Sequence, residues 1–232
     1  MSNNWPKQNI ILTDDQQRIR EDWMTYWHTI LPNKYSYIEK FNHGYPLREP
    51  VKDGCITLEI GSGLGEHINY ENVENQKYFA LELRQDMADQ IRKKFPTINV
   101  ITGDCQKKIE APDSYFDRVL AIHVLEHLPD LPSALQEVYR VIKKTNGKFF
   151  VVIPCEDALV YNFARNITSR RIFEKRYHTE YDWLISAEHI NQPGEIIAEL
   201  KKLFKIEDIS YFPFRIPHVQ INICIGLLLT SK

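Results

Sequence analysis

Three glycines at alternate positions, Gly61-Ser-Gly-Leu-Gly65, follow directly on an apolar run that ends Leu58-Glu59-Ile60. Glycines so placed let a chain turn tightly and bring backbone N–H groups against a ligand. The pattern lacks the Lys-Ser/Thr of a Walker loop. It also lacks the third glycine of a dinucleotide fingerprint, a position held here by Glu66. Two acids stand downstream at the ends of apolar runs. Glu82 follows Tyr78-Phe-Ala-Leu81, where a carboxylate can accept hydrogen bonds from both hydroxyls of a ribose. Asp104 follows Gly103, in position to meet an adenine edge. Three histidines are candidate general bases: His123 and His127 after the run Asp117–Ile122, and His189 in Glu188-His-Ile-Asn191.

These residues need a scaffold, and the pattern supplies one. Strands are expected at Cys55–Ile60, Tyr78–Leu81, Asn99–Ile101, Asp117–Ile122 and Lys148–Ile153. The glycine loop should lead into a helix, and further helices are expected at Arg84–Phe95 and Leu131–Ile142. Near-continuous apolar strands alternating with helices indicate a parallel sheet covered on both faces. Ligands bind such sheets at the carboxyl ends of the strands, where Glu59, Glu82, Asp104 and His123 all fall. Before this core, Thr13 and Gln16 form a capping-box pattern opening a helix over 13–31. Ile19, Trp23, Tyr26, Trp27 and Ile30 recur along it, and Pro32 should end it. A short helix over Tyr35–Phe41 follows. After the core, helices are expected at Leu159–Phe173 and Pro193–Phe204, then closing strands at Ile206–Phe212 and Val219–Leu229. The chain reads as one domain over 1–232: a helical extension (1–50), a cofactor-binding core (55–153), an acceptor-side insertion (154–205) and closing strands (206–232).

Leu58-Glu-Ile-Gly-Ser-Gly-Leu-Gly65, Glu82, Gly103-Asp104 and Phe116-Asp-Arg-Val-Leu-Ala-Ile-His-Val-Leu-Glu-His-Leu-Pro129 together resemble the class I S-adenosylmethionine-dependent methyltransferases, of the small-molecule type. The resemblance covers residues 55–153 and, by pattern, the closing strands. It implies an α/β fold: a Rossmann-like, seven-stranded, mostly parallel sheet with its last strand antiparallel and helices on both faces. It implies S-adenosyl-L-methionine as cofactor. Glu59, Gly61, Ser62, Gly63 and Gly65 would hold the methionine moiety, Glu82 the ribose, and Asp104 with the Cys105 backbone the adenine. Leu83 is counted with the cofactor-binding residues, and His123 would sit beside the methyl sulfonium. His123 and His189 are the expected catalytic residues, because related small-molecule enzymes place a histidine at the position of His189. His127 is expected to pack locally.

His123-x-x-Glu126-His127 also spells an inverted zinc-protease pattern. That motif needs both histidines on one helix, and here the first ends a strand while Leu128-Pro129 follows at once. No resident metal is expected, with a divalent ion on His123, Glu126 and His127 as a minor alternative. The fourth strand is not followed by the Asn/Asp-Pro-Pro-Tyr/Phe that amino-methylating enzymes resemble. Cys155 follows Pro154 without the companion motif of cytosine methylation. Those absences disfavour DNA adenine, protein glutamine and cytosine as acceptors. The compact size and the pattern Ile221–Leu229 resemble methyltransferases that act on a surface-polysaccharide precursor, which implies a small molecule methylated at oxygen, a sugar or else a quinone, polyketide or lipid-like phenol. A non-catalytic S-adenosylmethionine-binding regulatory module is the alternative of a different class. Arg165, Arg170, Arg171, Lys175 and Arg176 suggest an anionic acceptor if they form a clamp, or a solvated face if they do not. Trp23, Tyr26 and Trp27 read as a lid over the cofactor or as simple packing.

Composition bounds the rest. The 232 residues carry 29 Lys plus Arg against 31 Asp plus Glu, a formal charge of −2, which argues against a nucleic-acid partner. The longest apolar stretch, Ile223–Leu229, is far short of the ~20 residues of a membrane span. The first nine residues lack a signal-peptide pattern. Four scattered cysteines without a CxxC pair suit a reducing cytoplasm. A homodimer is left open.

Overall fold

The computed structural model describes the chain except residues 1–4, 9, 35 and 157, and describes residues 28–34 by backbone alone. One sheet of seven strands runs through it: β1 (Cys55–Ile60), β2 (Gln76–Glu82), β3 (Asn99–Thr102), β4 (Arg118–Ile122), β5 (Lys148–Pro154), β6 (Phe204–Phe212) and β7 (Cys224–Ser231). The order is β3-β2-β1-β4-β5-β7-β6. Strands β1 to β5 pair in parallel, and β7 lies antiparallel between β5 and β6. The expected sheet is the observed one, with the order reversing at β1 and β4.

Alternation along the strands divides the core into two layers. Val119, Ala121, Phe149, Val151 and Ile153 pack on one face, against Leu135 and Val138 of α4 (Leu131–Val141) and Ile196 and Leu200 of α8 (Pro193–Leu203). Leu120, Phe150 and Val152 pack on the other, with Ile91 of α3 (Gln85–Lys94) and Tyr45. Every one of these side chains is buried.

The extension forms α1 (Asp14–Lys34) and α2 (Ser36–Gly44). The capping box is made: Gln16 Oε1 accepts from the Thr13 N–H (3.0 Å), and Thr13 Oγ1 accepts from the Gln16 N–H (3.3 Å). The helix continues through Pro32, contrary to expectation, because in the last turn a proline removes a single ladder bond. The expectations for Ile30 and Tyr35 lie outside the described residues. Trp23 is buried against Phe173, Tyr181 and Leu184, so the tryptophan is packing and not a lid.

Three further expectations change. The glycine loop leads to a short 3-10 turn, His67–Tyr70, and not to an α-helix. Only ten residues separate Gly65 from β2, and His67 and Glu71 turn inward there to polar partners. The helix expected over Leu159–Phe173 is two, α5 (Leu159–Ile167) and α6 (Ser169–Tyr177), broken at Thr168 (φ −117°, ψ −95°). α7 (Asp182–Glu188) was not foreseen, and residues Val219–Ile221 form a 3-10 turn where strand was expected.

Candidate active site

A cavity of about 500 Å³ crosses the carboxyl edge of the sheet. Glu59, Gly61, Ser62, Gly63, Glu82, Leu83, Asp104, Cys105 and His123 line it together. Gly65 supports the loop from behind: a Cβ there would stand 2.8 Å from the Phe95 ring.

The loop is built for close approach. Gly61, Gly63 and Gly65 all have positive φ (65°, 56° and 75°), a region in which L side chains are strained. A Cβ on Gly61 would fall 2.5 Å from Val124 Cγ2. The Gly63 N–H donates to Glu82 Oε2 (2.9 Å), and the Arg84 N–H donates to Glu82 Oε1 (2.9 Å). Glu66, the residue that broke the dinucleotide pattern, accepts from the Leu64 N–H at 3.0 Å and so closes the loop on itself. Asp104 Oδ1 accepts from the backbone and side chain of Gln106 (2.9 and 3.0 Å), which leaves its second oxygen without a hydrogen bond from the described residues.

Glu59 is buried, and Tyr78 donates to its Oε2 at 2.9 Å. Burial pushes its carboxyl up to about 8, against the Tyr78 and Ser62 hydrogen bonds. Folding therefore takes up a proton here between the ordinary carboxyl range and pH 8, and stability falls as pH rises through that window. Glu59→Gln keeps an acceptor for Tyr78 and removes the titration. It is expected to flatten the decline in Tm from pH 6 to pH 8, by an amount on the order of 4–8 °C if ~2 kcal/mol is recovered. An unchanged decline in a thermal melt series would contradict a protonated Glu59.

At the other end stand the histidines. His123 occupies the left-handed region (φ 53°), strained for a non-glycine residue, directly after β4. Its Nδ1 lies 3.3 Å from Glu126 Oε1. Burial opposes the Glu126 charge, but His123, His127 and His189 together hold the carboxyl below its ordinary range. An ionised Glu126 can only accept, so Nδ1 carries a proton and donates. The His123 Nε2 is buried and has no hydrogen-bond partner among the described residues.

His127, expected to pack locally, also lines the cavity, donating from Nδ1 to the Glu188 carbonyl at 2.7 Å. Burial depresses it, and its Nε2 lies 3.9 Å from Glu126 Oε1. His189 is not among the lining residues. It stands behind His127 (ring centroids 5.0 Å apart) and pairs with Glu156, which Arg165 also holds. Burial works against its cation, but Glu156, Glu126 and Glu188 raise it above the ordinary histidine range. Asn191, fully buried, donates to the Leu125 and Leu128 carbonyls (2.8 and 2.7 Å) and fixes the turn that carries Glu126 and His127.

Sequence reasoning missed the wall contributed by the extension. Arg20 and Met24 of α1 and Glu39, Asn42 and His43 of α2 line the cavity, as does His67. Arg20 pairs with Glu188 across the acceptor end. Below α2 runs a buried chain. His43 Nε2 meets Glu39 Oε2 (3.1 Å), His43 Nδ1 meets His67 Nδ1 (3.3 Å), and His67 Nε2 meets Glu71 Oε1 (2.8 Å), which Arg118 also holds (2.7 Å). Burial opposes the Glu71 carboxylate, but His67, Arg118 and Gln76 hold it at about 2. Burial pulls His67 down to about 4, so it donates to Glu71 and accepts from His43. The local signal was His67 itself, an inward-facing histidine two residues after the glycine loop.

The cysteines and the basic stretch fall elsewhere. Burial pushes the Cys155 thiol up to about 12, unsuited to a nucleophile. Arg165 pairs with Glu156, Arg170 with Asp182 and Glu174, and Arg176 with Asp22. None of these arginines lines the cavity, which favours the solvated face over the clamp for them. Among the described residues no three His, Cys, Asp or Glu side chains are grouped to hold a metal ion, and no helix is long and apolar enough to cross a membrane.

A glycine loop at the head of β1, acids at the ends of β2 and β3, and one cavity across the carboxyl edge define a Rossmann-like nucleotide-binding protein. Comparison with known proteins makes this specific. Residues 58–151 match the family described as a methyltransferase domain. The chain is 27% identical over 123 residues to N-methyltransferase 4 of Papaver somniferum, covering 50% of this chain and 35% of that protein. It is 24% identical over 155 residues to a sterol 4-C-methyltransferase of Caenorhabditis elegans, covering 64% and 44%. The chain thus spans less than half the length of these relatives. A SAM-dependent methyltransferase structure from Thermotoga maritima shares the fold, with a TM-score of 0.65 at 17% identity over 93% of this chain and 99% of that one. Residues 58–151 thus carry a methyltransferase domain, on a fold shared with S-adenosylmethionine-dependent methyltransferase structures, and S-adenosylmethionine is the cofactor.

Proposed function

We propose that the protein methylates a hydroxyl of a small molecule, with His123 as general base. The observation that carries this reading is the His123–Glu126 pair: a cavity-lining histidine whose Nδ1 meets a buried carboxylate and whose Nε2 has no hydrogen-bond partner among the described residues. That arrangement suits a hydroxyl, which must lose its proton as it is methylated. Bound S-adenosylmethionine supplies an electrophilic methyl group on its sulfonium. The residues fit it: the glycine loop and Glu59 hold the methionine end, Glu82 with Leu83 the ribose, and Asp104 with Cys105 the adenine. His123 Nε2 accepts the acceptor's proton. Glu126 keeps the ring in the right tautomer and offsets the imidazolium that forms. His189 acts through its neighbours, setting the field around His127 and Glu126. Holding the acceptor in line is the larger contribution, worth ~7–11 kcal/mol in well-oriented reactions.

Met24 and Ala187 line the cavity beside Arg20 and its partner Glu188. These apolar side chains favour a phenol of quinone, polyketide or other lipid-like type over a sugar. The sterol 4-C-methyltransferase relative agrees with an apolar acceptor. Four free thiols, three of them buried, favour a cytoplasmic location. An acceptor screen with S-adenosylhomocysteine formation as readout, run with phenols and nucleotide sugars in parallel, tests the reading. Turnover with neither class, despite tight cofactor binding, would leave a non-catalytic binding module instead.

Glu82→Ala removes the carboxylate that Gly63 and Arg84 hold in place. It is expected to weaken S-adenosylmethionine binding by about 1–3 kcal/mol in a calorimetric titration. Undiminished affinity would remove Glu82 from the ribose.

A further inference from the structure

A second surface lies on the same edge of the sheet, outside the cavity. α5 buries none of its residues, and it turns Leu159, Phe163 and Ile167 to solvent at 73%, 67% and 47% exposure. At intervals of four these side chains share one helix face. The loop between β6 and β7 adds Phe214 at 57% and Ile216 at 51%. The two segments are joined, since the Leu159 N–H donates to Gln220 Oε1 (3.1 Å). The loop is held rigidly as well. Buried Asn222 accepts from the Phe214 N–H (3.1 Å) and donates to the Ile216 and His218 carbonyls (2.9 and 2.8 Å). A fully buried asparagine thus fixes a loop whose large apolar side chains point to water.

The charges around this face are uneven. Arg165, Arg170 and Arg176 are matched by carboxylates, whereas Arg171 and Arg215 have no acidic partner among the described residues. Exposed apolar side chains flanking an unmatched arginine, as in Phe214-Arg215-Ile216, are the composition of a surface that lies in a lipid headgroup layer. A two-fold pairing of this face with a second copy would instead bring the unmatched arginines of both copies together. Topology adds a reason. β6 runs in the direction of β1 to β5, so the β6–β7 loop and the chain after β5 both leave the sheet at the edge that holds the cavity.

We propose that this face docks the protein on an anionic lipid surface, with Phe163, Phe214 and Ile216 entering the interface and Arg171 and Arg215 at the headgroups. The test is co-sedimentation with vesicles of phosphatidylglycerol and phosphatidylcholine in equal parts, against vesicles of phosphatidylcholine alone. The wild type is expected to bind the anionic vesicles and to be released by salt. The triple variant Phe163→Asp, Phe214→Asp, Ile216→Asp and the pair Arg171→Glu, Arg215→Glu are each expected to lose binding by roughly tenfold or more. Both should keep the wild-type Tm and S-adenosylmethionine affinity, since the altered side chains are exposed and lie off the cavity. No binding of the wild type, or equal binding by the triple variant, overturns the proposal. So does a wild-type dimer in solution that the triple variant splits, which would give the face to a second copy.

Discussion

Turnover of the His123→Ala variant is expected to fall by about 10²–10⁴-fold, while its affinity for S-adenosylmethionine stays within about twofold of wild type. The size follows from the role. His123 is the cavity histidine whose Nδ1 is committed to a carboxylate and whose Nε2 has no partner among the described residues. Removing the ring leaves Glu126 buried without its nearest partner, so a melting curve belongs beside the kinetics. His123→Gln keeps a polar group near Glu126 and should restore stability without restoring rate. A variant with the wild-type rate would move the base to His127, which also lines the cavity.

Gly63→Asp is expected to abolish measurable cofactor binding, a loss of more than about 100-fold. Gly63 has φ 56°, a conformation that aspartate enters only with strain. Its N–H is the group that fixes Glu82 Oε2 at 2.9 Å. The substitution would bring a new carboxylate to a loop already flanked by Glu59, Glu66 and Glu82, and would unseat the acid that receives the ribose. The loop lies at the surface of the sheet edge, so the fold should survive, as circular dichroism would show. A folded variant with retained micromolar affinity would refute the assignment of this loop to the cofactor.

The parts of this site that were legible in the sequence are those that a single strand and the turn after it create. Glu59, Gly61, Glu82, Asp104 and His123 each follow an apolar run, and in a parallel sheet all such residues reach one edge. The parts that were not legible depend on contacts between distant segments. Nothing local to α2 shows that Glu39 and His43 will face the glycine loop, because their partner His67 lies 24 residues away from His43. The basic stretch stayed open between a clamp and a solvated face for a related reason. Its own window contains one acid, Glu174, whereas the carboxylates that match Arg165 and Arg176 come from Glu156 and Asp22, outside it. His189 was placed at the acceptor by resemblance. Its Glu156 partner instead sets it behind His127, and no spacing rule along the chain could report that depth.

Calorimetric titration of the full chain with S-adenosylmethionine and S-adenosylhomocysteine, with NAD as the control, tests the central claim most directly. The account predicts one site that binds both sulfur nucleotides and ignores NAD, which needs the glycine that Glu66 replaces. A folded protein that binds neither sulfur nucleotide, or that takes NAD in their place, would contradict it.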